Sequence, residues 1–404
     1  MNVKDDEMRT IVEIGLRNLL SFGPDTKPIS LKSLNVLIGP NGSGKSNIIE
    51  AVSLMRSAPS DIRTVIRRGG GVSEWIWKGD PEGVASIDII TKNPHGNMPL
   101  RHVLAFQKEN QAFRLVDERI ENEKSYPKYG NPLKIYFYYH YNDGNPVINV
   151  KTEGLDDKPE QRKLKPETVD TDQSILSQRR DPETYPEISY LADVYDKIKI
   201  YREWYFGRNA VFRVPQKADM RNDRLEEDFS NLGLFLNRLR GVPKAKNIIL
   251  EALRDLYEGL DDFDVSIAGG TVQVFFTEGD FTIPATRLSD GTLRYLCLLA
   301  ILCDPAPPPL ICIEEPELGL HPDILPKVAY LLKAASERTQ LIVTTHSDIL
   351  VDAMTDRPDA VLVCEKHDGQ TRIRRLDSKK LEEWLKDYRL GELWTSGELG
   401  GTRW

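Results

Sequence analysis

The sequence predicts an α/β fold that carries an antiparallel β subdomain and an inserted helical subdomain. Three observations predict it. An apolar run at 34–38 (LNVLI) enters a glycine-rich turn and leaves it as a helix at 46–55, with Ile48, Ile49, Val52 and Met55 on one face. Short β-like runs at 86–91, 103–106, 113–116 and 134–140 are separated by polar turns such as Asn142-Asp143-Gly144. Beyond residue 186 the apolar spacing becomes helical and then returns to short buried runs at 310–313 and 341–343.

Taken in order, residues 11–22 read as a strand before the run at 34–38. Residues 151–186 are rich in Lys, Glu, Asp, Pro and Gln and read as a loop-rich connection. Helical spacing follows at Ile188, Leu191, Val194, Tyr195 and Ile198, at 231–239, and at Ile249, Leu250, Leu253 and Leu256. A strand pair at 263–268 and 271–277 turns on Gly269-Gly270. A second pair is expected around Asp368-Gly369, then a helix at 379–388 and a tail bearing Trp394 and Trp404. The tail reads either as a strap packed on the body or as a docking segment. The expected division is 1–150, 151–262, 263–377 and 378–404. There is no repeat period and no sustained heptad, so long coiled-coil arms are not expected.

Bulk properties narrow the function. With 62 acidic against 54 basic residues the net charge is −8, which disfavours a surface built mainly to grip nucleic acid. Cys297, Cys303, Cys312 and Cys364 sit in apolar runs without zinc-type spacing and read as reduced core thiols. The charged N-terminus has no apolar signal region, and the longest apolar run, 295–303, is too short to cross a bilayer. A soluble, cytoplasmic protein is expected.

Gly39-Pro40-Asn41-Gly42-Ser43-Gly44-Lys45-Ser46 matches GxxxxGK[ST] between a strand and a helix, the context that the motif requires. Glycines let backbone N–H groups from Asn41 to Ser46 turn inward around phosphates, and the helix N-terminus adds positive potential. Lys45 reaches the β/γ-phosphates as a point charge, and the Ser46 hydroxyl suits Mg²⁺. Residues 310–316 (LICIEEP) form a buried strand ending in two carboxylates. Neighbours on a strand face opposite ways, so the two acids should differ in role. Glu314 is the metal-side group, and Glu315 the general base that polarises the attacking water.

These motifs, with three more, carry a resemblance. Residues 288–294 (LSDGTLR) resemble the ABC signature in the form found in RecF- and OLD-like ATPases. Residues 317–322 (ELGLHP) resemble the D-loop, and 341–347 (LIVTTHS) end in the position of the switch histidine, His346. Asn47 after the loop serine is similar to SMC and RecF proteins, and the long stretch between Ser46 and Leu288 is unlike transporter ATPases. The chain is thus identified as an ABC-type P-loop ATPase of the RecF/SMC/OLD-like branch. Glu314 stands where that family usually has Asp. The Q-loop glutamine has three candidates, Gln107, Gln173 and Gln178.

The resemblance implies ATP and Mg²⁺ as cofactors and a homodimer in which Ser289 and the Gly291 N–H cap the ATP held by the other copy. It implies γ-phosphate sensing by His346. OLD-type relatives carry a TOPRIM nuclease after the ATPase; the residues after His346 are too few for one and lack a DxD pair. The leading expectation is therefore a sensor or regulator subunit of an anti-phage defence system, with a separately encoded nuclease effector and no membrane association. A RecF-like repair ATPase acting on DNA, with Arg63–Arg68 or Arg202, Arg208 and Arg213 as contacts, is the alternative. Ordinary solvated charge is the competing reading of both arginine sets. A transporter subunit comes third.

Overall fold

The computed structural model describes residues 9–125, 135–150, 160–164, 169–205 and 207–401. In chain order, β1 (Ile11–Arg17), β2 (Ile29–Ser30) and β3 (Leu34–Ile38) precede helices α1 (Lys45–Ser57), α2 (Ile62–Arg68) and α3 (Val72–Trp75). Strands β4 (Ala85–Thr91), β5 (Leu100–Glu109), β6 (Ala112–Asn122), β7 (Phe137–Asn142), β8 (Asn145–Val150) and β9 (Glu160–Lys163) follow. Then come α4 (Ile175–Gln178), α5 (Pro186–Asp196), β10 (Lys199–Tyr201), β11 (Gln216–Lys217), α6 (Leu232–Arg240) and α7 (Pro243–Leu256). Strands β12 (Asp262–Ala268), β13 (Thr271–Glu278) and β14 (Phe281–Pro284) lead to α8 (Asp290–Leu302), β15 (Leu310–Glu314), α9 (Leu325–Ala335) and β16 (Gln340–Thr344). The chain closes with α10 (Asp348–Asp352), β17 (Val361–His367), β18 (Gln370–Arg375), α11 (Ser378–Leu381), α12 (Trp384–Asp387) and α13 (Leu390–Thr395).

The centre is a six-stranded sheet in the order β10-β15-β16-β3-β17-β18. All its pairs are parallel except β17 with β18. Side chains alternate along these strands, and both faces are covered. Val36, Ile311, Val343 and Val363 enter one core with α6, α7, α8 and α9. Leu37, Cys312, Ile342 and Leu362 enter the other with α1, α5 and the antiparallel strands. Burial on both sides explains why the runs at 34–38, 310–313 and 341–343 are apolar on both faces rather than alternating, save Asn35, whose Nδ2 donates to the Lys32 and Leu341 carbonyls.

The second sheet has eight strands in the order β2-β1-β4-β5-β6-β7-β8-β9, with every pair antiparallel. The third is built on β13, which pairs with β11, β12 and β14. A buried amide joins the first two sheets. Gln340 Oε1 accepts from the N–H of Ile11 at 2.8 Å and of Thr10 at 3.1 Å, while Nε2 donates to the carbonyls of Ile11 at 2.8 Å and Lys32 at 3.0 Å.

Several expectations are corrected. The strand expected over 11–22 stops at Arg17, because Asn18 and Leu20 take positive φ and turn the chain. The run placed at 134–140 is a strand from Phe137 to Asn142; residue 134 lies outside the described residues. The polar stretch 151–186 contributes β9 and α4, whose buried Ile175 and Leu176 escaped a composition-based reading. The helix expected at 379–388 divides into α11 and α12. The tail folds back as the strap reading expected. Leu390, Leu393, Trp394 and Leu399 join the core, and Trp394 Nε1 donates to the Gly401 carbonyl at 3.0 Å. Trp404 lies outside the described residues. The four cysteines are free and buried, as expected, and burial pushes the Cys303 and Cys364 thiols up to about 12. Among the described residues no helix is long and apolar enough to cross a membrane.

The fold yields a first prediction. Gln340→Met keeps the volume but takes the partner from four backbone groups, the buried N–H and carbonyl of Ile11 among them, so stability should fall by roughly 2–4 kcal/mol. Urea denaturation measures this, and an unchanged midpoint would contradict the staple.

Candidate functional site

The phosphate-loop residues lie between the end of β3 and the start of α1, at the C-terminal edge of the parallel sheet. Gly39, Gly42 and Gly44 take φ of 146°, 74° and 95°, backbone that side chains disfavour. Gly44 is the N-cap of α1, and no side chain caps the helix there, so its first N–H groups stay available to an anion. A Cβ on Gly39 would come within 2.2 Å of the Cys364 carbonyl oxygen, and one on Gly44 within 2.1 Å of Thr371 Oγ1. Lys45 is buried, and its Nζ donates to the carbonyls of Gly39 at 2.9 Å and Pro40 at 3.0 Å.

Strand β18 braces this loop from behind. Thr371 Oγ1 donates to the Ser43 carbonyl at 2.9 Å and lies 2.6 Å from Ser21 Oγ, which accepts from Asn47 Nδ2 at 2.6 Å. Asn47 therefore fastens the loop to the β1–β2 connection. The hydroxyl of Ser43 is buried without a hydrogen-bond partner.

Strand β15 ends beside the loop. Glu314 closes it and hydrogen-bonds the Ser46 hydroxyl. Burial raises its carboxyl above the usual range, against the pull of Arg202 and that hydrogen bond. Its Oε1 is buried without a hydrogen-bond partner. An acceptor oxygen left bare beside a serine hydroxyl suits a divalent cation, so Ser46 and Glu314 fit the metal role expected of them. Glu315 leaves the strand at φ 45°, a left-handed turn in place of the strand geometry from which opposed orientations were expected. The turn is held by its N–H donating to the Thr344 carbonyl at 3.0 Å. Its Oε1 lies 3.5 Å from His346 Nε2, so the two residues expected to be catalytic are adjacent.

Glu317 supports that pair, and sequence reasoning had set it in the D-loop without a role. Its Oε1 accepts from the His346 N–H at 2.7 Å and Thr345 Oγ1 at 2.8 Å. Burial raises this carboxyl too. A third acid directly after the Glu314-Glu315-Pro316 turn was the available signal.

Ser289 and Gly291 lie at the start of α8. Ser289 is exposed and caps α8, its Oγ accepting from the Thr292 N–H at 3.1 Å. A Cβ on Gly291 would lie 3.1 Å from the Gly319 carbonyl, so the signature abuts the D-loop of its own chain. Arg213 holds the signature in place through the Leu288 carbonyl at 2.6 Å and an ion pair with Asp290. Arg294, in the next turn of α8, donates to the Glu315 carbonyl at 3.2 Å and stacks 4.6 Å from the Trp204 ring, while burial lowers its pKa to about 10.

The Q-loop candidates are corrected here. Gln173 accepts from the Arg63 guanidinium, and Gln178 bonds the carbonyls of Asp170, Gln173 and Ser174; both serve the α2–α4 region rather than this site. Gln107 pairs with Arg114 inside the antiparallel sheet. Among the arginines offered as DNA contacts, Arg63 pairs with Asp61 and Asp172, Arg202 with Glu50, and Arg213 with Asp290. Arg67 and Arg68 are exposed.

The loop geometry is testable. Gly44→Ala adds strain at positive φ and a clash with Thr371, and should cost about 2–4 kcal/mol. Thr371→Ala in that background should recover part of the loss in urea denaturation; a fully additive double variant would contradict the clash.

A family profile described as "AAA domain, putative AbiEii toxin, Type IV TA system" matches residues 34–352. The chromosome partition protein Smc of Rhodopirellula baltica is 36% identical over 89 residues, 21% of this chain and 7% of that protein. Structural maintenance of chromosomes protein 5 of Arabidopsis thaliana is 29% identical over 114 residues, 28% of this chain and 9% of that protein. The chain therefore matches less than a tenth of the length of either curated relative. Two solved structures share the fold. A Smc head bound to the C-terminal winged-helix domain of ScpA gives a TM-score of 0.55 at 15% identity, covering 92% of this chain and 99% of that one. The Pyrococcus furiosus Smc head with an extended coiled coil, bound to the C-terminal domain of ScpA, gives 0.54 at 14% identity, covering 94% and 99%. With the profile running from β3 to α10, the chain belongs to this AAA-domain family, and its fold is that of an SMC head domain.

Proposed function

We propose that the protein hydrolyses ATP with Mg²⁺ as a homodimer whose two nucleotide sites are each completed by the other copy, and that this cycle regulates a separate effector protein. One observation carries the reading: Ser46, Glu314, Glu315 and His346 converge at one sheet edge, whereas exposed Ser289 belongs to the D-loop side of the chain. In this reading the γ-phosphate held by the loop meets the signature of a second molecule.

The chain's own groups then divide the work. Backbone N–H groups from Asn41 to Ser46 and the start of α1 bind the phosphates, and Lys45 turns from the Gly39 and Pro40 carbonyls toward them. A divalent cation held by Ser46 and Glu314 would neutralise charge on the β- and γ-phosphate oxygens. Glu315 accepts a proton from the attacking water, and His346, fixed by Glu317, orients Glu315 and faces the γ-phosphate. Across the interface, the Ser289 hydroxyl and Gly291 N–H donate to the partner's nucleotide. Dimerisation therefore follows ATP binding, and hydrolysis releases it.

Support for a protein partner comes from the Smc heads of like fold, two of which were solved bound to domains of ScpA. The role we infer is the sensor or regulator of a bacterial defence system, and a nuclease is the effector class it would control. For the repair reading, Arg67, Arg68 and Arg208 are the exposed candidates for DNA contact, while Arg63, Arg202 and Arg213 pair within the chain.

Glu315→Gln should lower kcat by about 10²–10⁴ while ATP binding persists, and the protein should accumulate as a dimer in ATP and Mg²⁺ by light scattering. Lys45→Ala should stay monomeric. Hydrolysis at the wild-type rate in Glu315→Gln would remove Glu315 from its role.

A further inference from the structure

The metal-side carboxylates already hold a cation of the protein's own. Strand β10 pairs in parallel with β15, Tyr201 opposite Ile313, so Arg202 follows in register beside Glu314 as both strands end. The guanidinium reaches between two acids. Its Nη1 bonds Glu50 Oε1 at 2.5 Å, and its Nε lies 3.9 Å from Glu314 Oε2. Glu50 lies one helical turn beyond Ser46 on α1, hence on the same face. Arg202 Nε and Nη2 are both buried without a hydrogen-bond partner, as is Glu314 Oε1. Trp204 secures the arrangement by donating Nε1 to the Glu314 carbonyl at 2.8 Å.

Two carboxylates and a serine hydroxyl would form an attractive site for a free divalent ion. A guanidinium among them cannot lose its charge, and it sits too near Glu314 for a dication to enter without repulsion. The phosphates of a nucleotide would supply the missing negative charge. We propose that Arg202 is an internal counter-cation that keeps the site from taking up a divalent ion alone, so that the ion enters together with the nucleotide. The inference rests on the nucleotide-site reading above and adds an order of binding to it.

The test uses Mn²⁺ as the probe, without nucleotide, followed by the electron paramagnetic resonance signal of the free ion. Wild type should bind Mn²⁺ weakly, and so should Arg202→Lys, which keeps the charge. Arg202→Met should bind it about tenfold more tightly or better, and adding Glu314→Gln should abolish the gain. Should Arg202→Met fail to fold by circular dichroism, Arg202→Gln, which removes the charge but keeps a donor for Glu50, carries the same expectation. Tight Mn²⁺ binding by wild type, or unchanged affinity in folded charge-removing variants, overturns the inference. Binding of fluorescent ADP separates the two readings. If it is indifferent to Lys45→Ala, the nucleotide site itself fails; if it depends on Lys45 while Mn²⁺ affinity ignores Arg202, only this inference fails.

Discussion

Double-sided burial of the parallel strands is the constraint on which the site depends. Leu34–Ile38, Leu310–Glu314 and Gln340–Thr344 are packed on both faces, so their ends cannot shift independently without opening one of two cores. The groups we propose for the chemistry start where that packing stops: the glycine turn after Ile38, the carboxylate of Glu314 that closes β15, and His346 just beyond Thr344. A rigid edge lets Glu315 be presented on a left-handed turn and keeps His346 within 3.5 Å of it. The two cores also separate duties. One joins the loop helix to the antiparallel sheet, and the other joins the signature helix to the C-terminal strap.

The charges at this edge are held at a cost. Glu314 and Glu317 are both pushed toward their neutral forms by burial, and Arg294 is drawn toward lower pKa by the same effect. Bare acceptors and donors on Glu314 and Arg202 add to it. A structure optimised for stability alone would fill such positions with apolar side chains or complete hydrogen bonds. Their clustering at one edge is what the proposed nucleotide site would require. Trp204 and Arg294 link this edge to α8, so the carboxylate turn and the signature are mechanically continuous within one chain.

The parts of this arrangement that were legible beforehand are those encoded locally. The turn from residue 39 to 46 announces itself through glycines that must take positive φ, and Ser289 through its place before a long apolar helix. Continuous apolar runs revealed strands buried on both faces. Contacts across long separations left no such trace. Thr371 braces Ser43 from 328 positions away, and Gln340 joins β1 from 329 positions away. Arg202 looked like one more surface arginine because its neighbours in space, Glu50 and Glu314, are distant in sequence. The polar stretch after residue 150 misled for a related reason: composition reports the exposed residues and conceals the few that pack.

Complementation between two inactive variants tests the composite site most directly. Lys45→Ala disables the phosphate loop, and Ser289→Arg blocks the exposed signature surface, so neither protein alone should turn over ATP. Mixed together, they form heterodimers in which one intact loop faces one intact signature, and turnover should return. If the mixture stays inactive although the two chains associate, or if Ser289→Arg hydrolyses ATP as a monomer, the nucleotide is not shared between two copies.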